Sequence, residues 1–221
     1  MITLHHLNNS RSQRILWLLE ELGVEYEIKR YERDKTTMLA PPELKKVHPL
    51  GKSPVITDGE EVIAESGAII EYLLDKYGQG RLKPKSGTKE ALRFNYWLHF
   101  AEGSAMTPLL FTLVFNKIES TPVPFFIKPI IKALCSKVRS SFITPNLQGN
   151  FVFIENELSK SEWFAGAEFS AADIQMSFPM EAVMLRGADK VGPRSLEFVK
   201  KIHARPAYKK ALERGGEYRI L

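Results

Sequence analysis

Residues 48–69, HPLGKSPVITDGEEVIAESGAI, compress a turn, two strands and a helix start into one short stretch, and no other part of the chain limits the fold as tightly. Gly51 opens a turn, and Lys52, Ser53 and Pro54 lead into the apolar pair Val55 and Ile56. A proline at the first position of a strand lacks only a donor that the ladder does not need, and a cis bond there would leave the Ser53 peptide free to face a ligand. Asp58-Gly59 is a hairpin signal. The second strand, Val62 to Ala64, gives way to Glu65 and Ser66 just before the periodic run Ala68, Ile69, Tyr72, Leu73. Free N–H groups and the helix dipole at Ser66 favour a carboxylate, while Glu65 beside them suits an ammonium. An α-amino acid headgroup fits both, so the stretch reads as a small-molecule cradle.

HPLGKSPVI, followed at this interval by Glu65-Ser66 ahead of a helix, resembles the glutathione site of the cytosolic glutathione transferases. A strand, a turn, a second strand and a helix cap in fixed order are far more specific than a lone short pattern. The resemblance implies that Lys52 neutralises a carboxylate of glutathione and that Ser53, ahead of a cis Pro54, aligns the cysteinyl part through its backbone. Glu65 and Ser66 would hold the γ-glutamyl end.

The rest of the chain agrees with two units. Ile2, Leu4 and Leu7 suggest a first strand, and SRSQRILWLLEELG reads as a helix with Ile15, Leu18, Leu19 and Leu22 on one face, stopped by Gly23. Val24, Tyr26 and Ile28 alternate as a second strand, which gives a βαβ unit. Pro41-Pro42 opens an irregular or helical connection. With the hairpin and a helix from Ser66 to Tyr77 the order is β-α-β-α-β-β-α, an α/β thioredoxin-like domain over residues 1–79, and 79–87 is a linker by composition. The grammar then becomes all-α over 88–221. A long helix from about Thr88 to Asn116 is expected to bend at Pro108, and Pro122, Pro124 and Pro129 interrupt the pattern. IIKALCSKVRSSF resumes it with Lys132, Lys137 and Arg139 on the wet side, read as the solvated face of a packed bundle in preference to a membrane surface. In FSAADIQM, Ser170 with Asp173 forms a capping box and Phe169 with Ile174 a hydrophobic staple. This segment, and HARPAYKKALE with Pro206 at a helix start, resemble the helical domain of the same family.

Composition narrows the chemistry. Lys+Arg of 31 against Asp+Glu of 26 gives a formal charge of +5, enough to favour an anionic ligand without indicating nucleic acid. No run is expected to span a membrane and MITLHHL has no export pattern, so the protein is expected to be cytoplasmic. Cys135 is the sole cysteine, and the five histidines lack ligand spacing, which excludes a disulfide framework, a cysteine-rich metal site and CxxC dithiol exchange. Any sulfur chemistry must use the co-substrate's own thiol.

Activating that thiol falls to LHHLNNSRSQR, between the first strand and the first helix. A thiol of pKa about 8.5 is only slightly ionised at neutral pH, and donors at a helix N-terminus lower it. A hydroxyl can donate to the sulfur anion as an oxyanion hole donates to oxygen. Ser10 is the first candidate, with Asn9 and Ser12 next; capping is the better reading of Ser12. The serine-type transferases, which the chain resembles, place a hydroxyl shortly before an arginine, here Arg14, and that spacing admits Asn9 as well as Ser10. No tyrosine stands near the end of the first strand, which disfavours the tyrosine-type classes. By the same resemblance the enzyme would be a homodimer conjugating glutathione to small hydrophobic electrophiles held near Phe100, Ser104, Pro108 and Phe111. Glutathione-dependent peroxidase activity, or a non-catalytic transferase-like binding module, are the alternatives.

Overall fold

The computed structural model describes residues 1–185, 191–216 and 218. The far end of the helical part expected at 221 lies outside the described residues. Strands β1 (Ile2–Leu7) and β2 (Tyr26–Tyr31) pair in parallel through helix α1 (Ser12–Leu22), since a right-handed crossover needs a helix between parallel neighbours. Gly23 ends α1 in the left-handed region at φ 64°, where a Cβ would be strained. After the short α2 (Leu44–Val47), β3 (Val55–Asp58) and β4 (Glu61–Ala64) form the hairpin turned by Gly59, and α3 (Ser66–Tyr77) follows. The sheet order is β2-β1-β3-β4, with β3 antiparallel to both neighbours. The Ser53–Pro54 peptide is cis.

Seven further helices complete the described chain: α4 (Lys89–Phe100), α5 (Met106–Ser120), α6 (Lys128–Val138), α7 (Thr144–Lys160), α8 (Ala171–Met184), α9 (Pro193–Ala204) and α10 (Pro206–Gly215). They share most of their core with the sheet side, and a smaller cluster of Met106, Leu109, Phe178, Ala182, Val183 and Val191 belongs to them alone. One apolar cluster runs from Leu16, Trp17 and Leu19 of α1 through Ile69 and Leu73 of α3 to Trp97, Phe164, Ile174, Phe198 and Tyr208, so α1 is packed between the sheet side and the helical part. The Ser170–Asp173 capping box is formed, and Asp173 also accepts from the Phe164 N–H at 2.8 Å, tying the loop before α8 to its first turn.

The expected single long helix is interrupted. Residues Ala101–Ala105 form a π-helical turn between α4 and α5, with the Met106 N–H reaching back five residues to the Ala101 carbonyl. Pro108 lies just beyond it and has no N–H to offer the Ser104 carbonyl; Asn150 Nδ2 of α7 satisfies that oxygen at 2.8 Å. The helical stretch Lys89–Ser120 is, by length and composition alone, long and apolar enough to cross a membrane, which the sequence reading did not anticipate. Its first half is nevertheless packed in the core through Phe94, Trp97 and Leu98.

Candidate functional site

The cradle is a cavity of about 160 Å³ lined by Arg11, His48, Leu50, Lys52, Ser53, Pro54, Ala64, Glu65, Ser66 and Glu102. Five of the residues expected at a ligand site thus converge: Lys52, Ser53, Pro54, Glu65 and Ser66. Gly51 makes the turn at φ 58°, where an added Cβ would also meet Lys45 Cγ at 2.7 Å. The Ser53 side chain is engaged with β1, its Oγ donating to the His5 carbonyl at 2.9 Å and accepting from the Leu7 N–H at 3.3 Å. Glu65, at the start of α3, is exposed and sits at φ 70°, ψ 126°. A non-glycine residue held there costs about 1–3 kcal/mol, and such residues cluster at ligand clamps.

Beneath this surface lies a buried arginine that the sequence reading used only as a spacing marker. Arg14, 2% exposed, forks to three elements: Nη1 donates to the Gln175 carbonyl at 2.7 Å, and Nη2 donates to Ser66 Oγ at 3.1 Å and Glu102 Oε1 at 2.5 Å. The Gln175 carbonyl is open to it for a local reason. Pro179, four residues on in α8, has no N–H with which to close the helical bond. The π-helical turn carries Glu102 to the same place, where Arg11 Nε also donates to it at 3.1 Å. Burial alone would raise the Glu102 carboxyl, but Arg14 and then Arg11 outweigh it and hold the group below the usual carboxylate range. Both guanidinium groups lie over the Phe178 ring, at 5.1 and 5.3 Å.

The three candidates for thiol activation line no part of this cavity. Ser10 is buried, its Oγ donating to the Leu7 carbonyl at 2.8 Å, accepting from the Ser12 N–H at 3.2 Å and lying 2.8 Å from Ser12 Oγ. Ser12 is fully buried, with Oγ 2.9 Å from His6 Nδ1. These hydroxyls close the β1–α1 turn, where local carbonyls compete for their protons. Asn9 is half-buried at φ 49°, and its carbonyl accepts from Arg33. The expected electrophile residues also scatter. Phe100 packs into the core against Trp97 and Phe153, Pro108 is buried, Ser104 is exposed, and Phe111 stands at the surface edge-on to Phe142. Arg11, His48, Leu50, Ala64 and Glu102 are the lining residues that sequence reasoning missed. For Arg11 and Glu102 a signal was present, in two arginines three apart at the start of α1 and an acid inside the small-residue run AEGSA.

Comparison with known proteins agrees with this geometry. The family described as glutathione S-transferase, N-terminal domain, matches residues 1–75. The chain is 40% identical to glutathione S-transferase 3 of Schizosaccharomyces pombe, over 82% of this chain and 74% of that protein. It is 33% identical to glutathione S-transferase 1 of Saccharomyces cerevisiae, over 97% and 95%. Among solved structures, a glutathione S-transferase of Actinobacillus pleuropneumoniae superposes with a TM-score of 0.79 at 36% identity, covering 97% of this chain and 93% of that one. With relatives this similar over most of its length and a cradle of this construction, the chain belongs to the glutathione S-transferase family.

Proposed function

We propose that the protein transfers the thiolate of glutathione to small hydrophobic electrophiles, with the cavity between the cis Ser53–Pro54 turn and the α3 N-terminus as its glutathione site. One observation carries this reading: Glu65, Ser66, Lys52 and Arg11 line a single cavity, and Arg14 and Glu102 brace Ser66 and Arg11 from behind. Glu65 binds the γ-glutamyl ammonium, and Ser66 with the first N–H groups of α3 takes the adjacent carboxylate. Lys52 meets the glycyl carboxylate. Ser53, its side chain turned to β1, addresses the cysteinyl part through its backbone.

The donor to sulfur is proposed to be the Arg11 guanidinium, and not the Ser10 hydroxyl, whose proton is directed to the Leu7 carbonyl. A fixed cation beside the sulfur favours the thiolate over the thiol without exchanging a proton itself. The electrophile then lies along the α4–α5 surface at Ser104 and Phe111, while Phe100 serves the core and Pro108 shapes the helix. Conjugation places the sulfur's lone pair on the electrophilic carbon and expels the leaving group. The protein is read as a cytoplasmic homodimer, supported by large apolar side chains exposed on both parts of the chain, among them Leu50 and Val62 and, further on, Leu92 and Tyr96.

Titrating the thiolate absorbance of bound glutathione tests the assignment. Arg11→Ala raises the bound thiol pKa by about one unit or more, the equivalent of one charge-assisted bond at about 1.4 kcal/mol. Ser10→Ala leaves that pKa within a few tenths of a unit and lowers fold stability instead. A raised pKa in Ser10→Ala with none in Arg11→Ala returns the role to Ser10. Absence of glutathione binding to the folded wild type removes the function altogether.

A further inference from the structure

The connection between α5 and α6 presents a surface that the glutathione site does not use. Of α6 only Cys135 is buried, with Ile131 and Val138 half-covered beside it, so the helix rests on the body along one narrow stripe. The remaining apolar side chains face outward. Phe125 is 86% exposed, Phe126 64%, Ile130 67% and Leu134 65%. Phe126, Ile130 and Leu134 recur every four residues, and the Phe125 and Phe126 rings touch edge-to-face at 5.6 Å. Pro122 and Pro124 just ahead of them restrict the backbone of the turn that holds the pair out.

Charge decides what covers such a surface. From Thr121 to Ile154 the sequence holds no Asp or Glu, while Lys128, Lys132, Lys137 and Arg139 fall within it. Arg139 is paired with Glu119 at 2.8 Å. The three lysines are exposed and, among the described residues, none has a carboxylate within salt-bridge distance. Lys137 falls on the apolar stripe itself, and Lys128 and Lys132, four apart, share the exposed face next to it around the helix. A second copy meeting this face across a two-fold axis would set the same three lysines against themselves with no acid to answer them. An anionic bilayer answers both features at once, because aromatic side chains favour the headgroup layer and lysines gain from the negative surface potential.

We propose that the α5–α6 tip is a peripheral docking surface for anionic phospholipid bilayers, with Phe125 and Phe126 entering the headgroup layer and Lys128, Lys132 and Lys137 against the lipid phosphates. This revises the reading of the basic segment as a merely solvated face. Neither the few cations nor the short apolar stripe suffices alone, so docking is reversible and salt-sensitive.

Flotation of the full-length protein with vesicles of phosphatidylcholine alone, or with about 30% phosphatidylserine, is the test. The expected result is a partition coefficient roughly tenfold or more higher on the anionic vesicles, reduced severalfold between low and high salt. Phe125→Ser/Phe126→Ser lowers it at least about tenfold on anionic vesicles, and Lys128→Gln/Lys132→Gln/Lys137→Gln removes the preference for phosphatidylserine. Both variants keep the wild-type circular dichroism melt, since none of these side chains is buried. Absence of flotation by folded wild type, equal flotation by either variant, or loss of the wild-type sedimentation coefficient in the phenylalanine variant without vesicle binding by wild type overturns the proposal. The last result would make the face a subunit contact.

Discussion

Replacing Arg14 by lysine keeps a positive charge in the same buried place but removes the fork that reaches three elements at once. Arg14 donates to the Gln175 carbonyl at 2.7 Å, Ser66 Oγ at 3.1 Å and Glu102 Oε1 at 2.5 Å. A lysine ammonium on a flexible stem can serve Glu102, whose side chain is the charged acceptor, and forfeits the other two. Hydrogen bonds from a charged donor contribute about 1.5–3 kcal/mol each. Two losses at the low end come to about 3 kcal/mol of fold stability. Gln175 has no helical donor to fall back on, because position 179 is proline. With Ser66 unbraced, glutathione affinity falls roughly tenfold, equivalent to about 1.4 kcal/mol. Urea unfolding and calorimetric titration with glutathione measure the two effects. Pro179→Ala supplies the internal check. Helix propensity alone makes it stabilising by about 3 kcal/mol, whereas a new N–H competing for the Gln175 carbonyl cancels most of that gain and weakens glutathione binding. Arg14→Lys within about 1 kcal/mol of wild type at unchanged affinity would refute the bracing role. So would a Pro179→Ala protein that keeps the whole propensity gain and binds glutathione normally.

Two further outcomes are expected. Glu65→Ala weakens glutathione binding roughly ten- to a hundredfold, the worth of one bond between charged groups, with little change in the unfolding midpoint because Glu65 is exposed; unchanged affinity by calorimetry takes Glu65 out of the site. His6 is held neutral, its pKa lowered from 6.5 to about 4 by burial and then by the charge of Arg30. The folded state therefore binds fewer protons than the unfolded one between those values, and His6 contributes stability above pH 6.5 that is lost as pH falls toward 4. Between pH 7.5 and pH 5 the loss is about 2 kcal/mol, and a His6→Gln variant with the same pH dependence in urea unfolding would show that His6 is not its source.

What could be read from the sequence was what is written locally. Gly51, the Asp58-Gly59 turn and the Glu65-Ser66 helix start are settled by neighbours a few residues away, and the cradle and sheet follow from them. The bracing role of Arg14 was not legible, because its partners lie 52, 88 and 161 residues along the chain. The engagement of Ser10 was not legible for a subtler reason. A serine at a helix start caps or binds according to one side-chain rotation, and here the nearby Leu7 carbonyl takes the proton. The electrophile residues were placed on one helix face by a period of 3.6. The π-helical turn at Ala101–Ala105 breaks that period between Phe100 and Phe111, so one face on paper became core and surface in space.

Pro179 gives the fold a dependence that no division of the chain at its linker respects. By withholding one N–H it leaves an oxygen of the helical part as the seat for an arginine from the sheet part. A polypeptide ending near Tyr77 would keep every lining residue of the cradle except Glu102, yet its Arg14 would lose Gln175 and Glu102 together and turn to water. Such a fragment carries every residue proposed to grip the γ-glutamyl group and lacks what holds them still. Recombining the two parts from different relatives should therefore succeed only where the proline and the arginine travel as a pair.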